Sequence, residues 1–506
     1  MRLITTANQA HFPFHSVVIF CSFLVTRLLA QDPHALQTIQ GDDILHHARF
    51  LASEELRGRE TFTHENRIAG RYIANEFRHA GLKPIDSSHT FFQNILSPFS
   101  IVESPGVLEI DGNVLFEGKD FRVAAVGSNA IDAEAVFVGY GISVKEHDSY
   151  SGVDVNNKIV VVFEGNYPGK SGSMPSLPQL LAANAIEHGA AGMIFIRGTS
   201  PNRRKFEIPS DLSLAELRFF FEAGKKSGII QWTSDTSEKW FRFPFVYVEK
   251  DIAKLLLRPA GKEIAAIKAE IDKLGKPQSF PLHTRVKMQT TLTRNVRTAR
   301  NVVGLVEGSD PALRNEVVIV GAHYDHIGQD GTTGYLLLGA DDNASGTAAL
   351  LEIARAFALA DQKPKRSVLF IAFTGEERSV LGSQYYVDHP LIPLSETRAM
   401  VCLDMIGRND PDSIGLATEG IPEPLKSSLC DGSREFGLTL QNIDGHLGSS
   451  DQVTFMLKET PVVILHDGGG DFQHALGDTW DRLAPTKMEK VARYAFSLIH
   501  KLADQP

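Results

Sequence analysis

Apolar positions change their period along this chain. Between Asp43 and Gly81 they recur at helical spacing, as Ile44, Phe50, Leu51 and Leu56 and then Ile68, Tyr72, Ile73, Phe77 and Leu82. Two helices are predicted there, the second stopped by Gly81, with residues 56–60 between them as a polar loop. Strand-like pieces follow at 91–95 and 106–110. From about Asp132 the runs 133–138, 158–163 and 192–196 are apolar throughout and predict buried strands, with a helix at 181–188 feeding the last and a further strand at 245–248. Residues 166–176 form a loop by composition. A helix-rich connector carrying Ile252, Leu255, Leu256, Ile264 and Ile271 leads out.

The final block is the most regular. Apolar strands are predicted at 316–320, 367–373, 398–403 and 461–465, alternating with helices at 347–359 and around 381–387. Such alternation predicts an α/β fold, a sheet with helices on both faces, whose ligands bind beyond the carboxyl ends of its strands. Most polar clusters of the block fall at such an end.

Composition narrows the classes. With 506 residues the chain exceeds one comfortable core, and 43% hydrophobic with 22% charged residues is the balance of a folded protein. A formal net charge of -10 supplies no basic face, so nucleic acid is not an expected partner. Of three cysteines, Cys21 lies in the apolar N-terminal run, leaving Cys402 and Cys430, too few for a disulfide scaffold. Residues 16–30 are apolar, too short for a persuasive membrane span, and end at Ala30 before the polar Gln31. This predicts a signal peptide over 1–30, a secreted or periplasmic product and no stable membrane span after processing.

Five clusters carry candidate chemistry. His323, Asp325 and His326 follow a strand, and an imidazole whose ring is fixed by a carboxylate is an ordinary zinc ligand. Asp341, Asp342, Asn343 and Ser345 lie among small residues before a helix, where a carboxylate could join two metals or a side chain could cap the helix. Asn343 also opens a formal glycosylation sequon, discounted because a buried turn is a poor acceptor. Glu376 and Glu377 end an apolar strand; one could bind metal while the other faces its water. Asp404 ends another, where burial without a partner is costly. His466 and His474 both qualify as ligands by spacing. No H-E-x-x-H segment is present.

In their order, His323-x-Asp325, Gly339-Ala-x-Asp342-Asn343-x-Ser345-Gly346, Gly375-Glu376-Glu377, Leu403-Asp404-Met405 and His474 before Asp478-Thr479 resemble the di-zinc aminopeptidase family that includes secreted bacterial leucyl aminopeptidases and, more distantly, glutamate carboxypeptidase II. Residues 51–59 and the following helix resemble its N-terminal section. The resemblance implies a zinc aminopeptidase-like mixed sheet and two Zn2+ ions. His323 and Asp404 would bind one ion, Glu377 and His474 the other, and Asp342 both, with a cis bond after it. Glu376 would be the general base and Asp325 its catalytic neighbour. The expected substrate is a peptide with a free N-terminus. Residues 130–250 are similar to a protease-associated domain, inserted between 31–129 and a return through 251–297 to the catalytic block 298–506. Two departures stand out: Gln473-His474-Ala475-Leu476 replaces a common Tyr-His-Thr-Pro, and Gln452 stands where relatives carry His after Ser450-Asp451. A carboxypeptidase or dipeptidase could use the same site, with Arg408 as candidate for a substrate carboxylate. A silent binding protein, an intramolecular cyclase and magnesium-dependent phosphate chemistry are weaker alternatives, the last disfavoured by two His ligands.

Overall fold

The computed structural model describes residues 33–505, apart from 86–88, 103–104, 125–127, 145–146, 165, 168–173, 176–177, 199–241, 330–333 and 445–446. The export signal expected over 1–30 lies outside the described residues. Among those residues no helix is long and apolar enough to cross a membrane.

Four parallel strands form the middle of an eight-stranded mixed sheet: Ser367–Phe373, Val317–His323, Thr397–Leu403 and Val462–His466, in that spatial order. Leu292–Val306 and then Phe92–Val102 continue the sheet antiparallel on one side. Ser413–Glu419 and Thr439–Asn442 complete it on the other. The central strands read as unbroken apolar runs because both faces are covered. Val318, Val320 and Ala322 face one buried core with Val368, Phe370 and Ala372. Their neighbours Val317, Ile319, Leu369 and Ile371 face a second. The first core is roofed by Gly41–Leu51, His64–Ala80, Gly346–Leu359 and Pro485–Asp504. Leu381–Asp388 and Gln452–Met456 cover the opposite face. The expected α/β fold with helices on both faces is therefore the fold observed.

Another eight-stranded sheet has its own core. It contains the expected buried strands as Asn129–Val138, Ile159–Phe163, Gly192–Arg197 and Phe245–Glu249. It also recruits Val107–Ile110, Asn113–Leu115, Phe121–Val123 and Ser279–Thr290, which lie outside 130–250. Residues 251–297 are thus more than a connector. Ser279–Thr290 hides Leu282, Thr284, Val286 and Met288 and exposes His283, Arg285, Lys287 and Gln289, a period-two pattern diluted by its charged half. Phe92–Val102 and Leu292–Val306 pair in register from Phe92↔Val302 to Val102↔Leu292, so the chain enters and leaves this unit along one ribbon.

Candidate metal centre

Parallel strands that end together bring their following residues together. His323 ends one strand, Asp404 follows Leu403 at the end of its neighbour, and Glu376 and Glu377 follow the strand ending at Phe373. His323 Nε2 lies 3.4 Å from Asp342 Oδ1 and 3.3 Å from Asp404 Oδ1. His474, from a loop beyond Val462–His466, places Nε2 3.1 Å from Asp342 Oδ2 and 3.3 Å from Glu377 Oε2. All five residues expected as ligands thus converge, around two oxygens of one aspartate. His466 turns away: its Nδ1 accepts a hydrogen bond from the Gly468 amide at 2.9 Å.

The turn that presents Asp342 is stitched to the Asp404 loop. Asn343 donates from Nδ2 to Leu403 O at 2.9 Å and accepts from the Gly346 and Met405 amides at 2.9 and 3.2 Å. Ser345 Oγ accepts from Ile406 N, and Asp341 Oδ1 accepts from Gly407 N. Asp478 receives the amides of Asp341 and Asp342 at 2.8 and 3.1 Å. Asn343 is fully buried in these bonds, which agrees with discounting its sequon. The Asp342–Asn343 peptide bond is cis.

Asp325 does less to the His323 ring than expected. The ring's Nδ1 is 3.2 Å from the backbone oxygen of Asp325 and 3.8 Å from its carboxylate. That carboxylate instead accepts from Thr61 Oγ1 at 2.8 Å and from the Glu376 amide at 3.2 Å, so it locates the Glu376 turn. Arg408 stacks 3.8 Å over the Phe472 ring and donates to Gly477 O at 2.8 Å, bracing the His474 loop from both ends.

Two residues take parts in the site that the sequence does not assign them. Residues 56–60 are not a solvated loop: Arg59 is fully buried, and its guanidinium donates to the backbone oxygens of Leu51, Tyr324, Leu338 and Gly339. Gly58, at φ 71°, permits this approach, since a Cβ there would stand 2.0 Å from Leu337 O. The second is His326, also buried, whose Nδ1 lies 2.9 Å from Glu377 Oε1. The sequence places it in the first cluster, one residue after Asp325, without a role of its own.

Electrostatics follow from crowding. Burial drives Glu376 well above the ordinary carboxylate range, aided by Glu377, Asp404 and Asp451 against the pull of His323. Burial and Asp342 push Glu377 up as well, but His326 and His474 outweigh them and bring it to about 2. Burial lowers His474, yet the Asp342 and Glu377 carboxylates lift it to about 11. Buried Asp451 is pushed up to about 7, first by desolvation.

These residues fit zinc. Donors on one tetrahedral zinc stand about 3.3 Å apart when bonds are 2.0–2.1 Å, and the separations above run from 3.1 to 3.4 Å. Among the described residues His323 Nε2, Asp404 Oδ1 and Glu377 Oε1 are buried without a hydrogen-bond partner. Three carboxylates against two imidazoles leave an anionic excess that cations would offset.

Residues 301–499 match the model of Peptidase family M28. The chain is 33% identical over 149 residues to leupeptin-inactivating enzyme 1 of Streptomyces exfoliatus, covering 29% of this chain and 31% of the relative. It is 35% identical over 112 residues to aminopeptidase YwaD of Bacillus subtilis, covering 22% of each. The matches to these curated relatives span under a third of their own lengths. The fold is similar over far more of the chain. An aminopeptidase from Aneurinibacillus sp. strain AM-1 superimposes with TM-score 0.59 at 19% identity, over 94% of this chain and 97% of that one. A zinc aminopeptidase from Bacillus subtilis gives 0.52 at 18% identity, over 92% and 96%. The part of the chain that matches the model of Peptidase family M28, residues 301–499, holds every residue of the metal centre apart from Arg59 and its neighbours.

Proposed function

We propose that this protein is a zinc-dependent exopeptidase, an aminopeptidase that releases N-terminal residues from peptides at a two-zinc site. The observation that carries the reading is Asp342, whose two oxygens face two different imidazoles, His323 at 3.4 Å and His474 at 3.1 Å. His323 and Asp404 would hold one ion, Glu377 and His474 the other, with Asp342 offering an oxygen to each. Ions held there would polarise the scissile carbonyl and lower the pKa of the attacking water. Glu376, half-buried beside them, takes that water's proton and returns it to the departing amine. Asp325 is a positioning residue that holds the Glu376 amide.

A carboxypeptidase would need a cation aimed at the substrate's terminal carboxylate. Arg408 is committed to Phe472 and Gly477, which supports the amino end as the one recognised, as do relatives described as aminopeptidases. The second unit, read as a protease-associated domain, governs access of longer peptides, and the N-terminal segment directs the protein out of the cytoplasm.

The test is Glu376→Gln, which preserves size and removes the basic carboxylate. Zinc content and substrate affinity should hold while kcat falls at least about 10²-fold. A fully active, zinc-loaded Glu376→Gln protein would reject the assignment.

A further inference from the structure

Glu377 is flanked by two imidazoles, one on each oxygen. His474 Nε2 lies 3.3 Å from Oε2, and His326 Nδ1 lies 2.9 Å from Oε1. The separations distinguish their parts. Donors sharing one tetrahedral zinc stand about 3.3 Å apart; His474 meets that spacing to Glu377 and, at 3.1 Å, nearly meets it to Asp342. His326 stands closer to Glu377 than two ligands of one ion would, and at 3.9 Å it is further from Asp342 Oδ2. It approaches the oxygen that His474 leaves. The ring is wholly buried and crosses that of His474 with centroids 5.6 Å apart. It rests on Gly339, where a Cβ would lie 2.3 Å from its Cγ. His326 Nδ1 and Glu377 Oε1 each have no hydrogen bond among the described residues: they are close, but the N–H is not lined up on the oxygen. The two lie 2.9 Å apart in a buried place, where leaving both unpaired is costly.

We propose that His326 is a positioning residue for the second cation: it holds Glu377 Oε1 and thereby turns Oε2 toward Asp342 Oδ2 and His474 Nε2. This role rests on the two-zinc reading of the site. A partner outside the ligand set that orients a ligating carboxylate typically contributes about 10- to 100-fold in metal affinity.

Zinc-free wild type, His326→Ala, His326→Phe and His326→Asn would be titrated with zinc against a chromophoric chelator, with folding checked by circular dichroism. The wild type should take up two ions. The alanine variant should keep the first and bind the second about 10- to 100-fold more weakly. Phenylalanine keeps a ring on Gly339 and removes only the nitrogens, so it should lose the same affinity and decides the matter where alanine fails to fold. Asparagine, whose amide can stand where Nδ1 stood, should recover most of the loss. X-ray absorption of the zinc-loaded wild type should count two imidazoles over two ions; three would make His326 a ligand and overturn the positioning role. Unchanged second-ion affinity in the folded alanine or phenylalanine variant, or no recovery by asparagine, would overturn it and leave the two-zinc reading standing. A wild-type protein that takes up fewer than two ions would overturn both.

Discussion

At the scale of single residues, the metal centre of the zinc-free protein is a set of protons waiting to be displaced. His474, lifted to about 11 by Asp342 and Glu377 against the effect of burial, is protonated at neutral pH, and so is His323, which is held well above 6.5 by Asp404, Glu376 and Asp342 despite its desolvation. Zinc requires both imidazoles neutral, so loading should release about two protons and its apparent affinity should climb with pH. Calorimetry at pH 7 in buffers of different ionisation enthalpy measures this directly; loading without proton release would contradict it. The same raised value has a stability consequence. Protonated His474 stabilises the zinc-free fold fully below its unfolded value of 6.5, and that contribution is lost as pH rises through about 11. Asp451 bears on Glu376, the base proposed above: its charge is one of those raising that carboxyl. Removing it in Asp451→Asn should lower the Glu376 pKa and move the acid limb of kcat/KM down by a few tenths of a pH unit. A limb that stays in place or moves upward would show that Asp451 does not bear on the base.

At the scale of elements, the centre depends on a turn far from it in sequence. Arg59 ties the carbonyls of Tyr324, Leu338 and Gly339 to Leu51, and Tyr324 adjoins His323 while Gly339 stands three residues before Asp342. Its guanidinium is lowered to about 10 by burial, against the pull of Asp325, Asp478 and Asp342. Arg59→Met keeps the length and strands those carbonyls, so it should cost about 2–4 kcal/mol in denaturant unfolding of the zinc-free protein. Because the clamp holds both ligand-bearing loops, both zinc ions should weaken together, unlike the selective loss expected at His326. Selective loss of one ion would place the clamp's effect elsewhere. Sequence alone read residues 56–60 as a polar loop because Arg57, Arg59 and Glu60 look solvated, and nothing local announces that one guanidinium finds its acceptors on loops 265 and 280 residues away.

At the scale of the molecule, the second unit hangs on one ribbon. Excision of 130–250 would remove four strands of the second sheet, turn Ser279–Thr290 into an open edge and detach Phe121–Val123. Joining Val102 to Leu292 through a short turn, where the two are already paired, should leave a folded catalytic block. Such a variant should hydrolyse a small aminoacyl anilide within about tenfold of the full chain, because the carboxyl end of the first sheet is untouched. Long peptides should change more. Equal changes on both, in a protein shown to be folded, would remove the access role assigned to the second unit.

Where the signal is local, the sequence determined the answer. Apolar runs such as 317–320 and 367–373, short and rich in β-branched and aromatic residues, predict strands buried on both faces, and the polar residues at their ends gather where those strands stop. His323, Asp342, Glu377 and Asp404 were therefore legible as candidates, His474 only beside His466, and it was the order of their motifs, through its resemblance to the di-zinc aminopeptidase family, that joined them into one set. The helix Pro485–Asp504 carries the same local signal, with Met488, Val491, Ala495, Leu498 and Leu502 at helical spacing behind Pro485. What only the tertiary structure decided are the pairings between segments distant in the chain. It chose His474 over His466, gave the Asp325 carboxylate to Glu376 and Thr61, set His326 against Glu377 and sent Arg408 to its own loop. Those choices depend on where a side chain's partner lies in space, and a hydrophobic period carries no such coordinate.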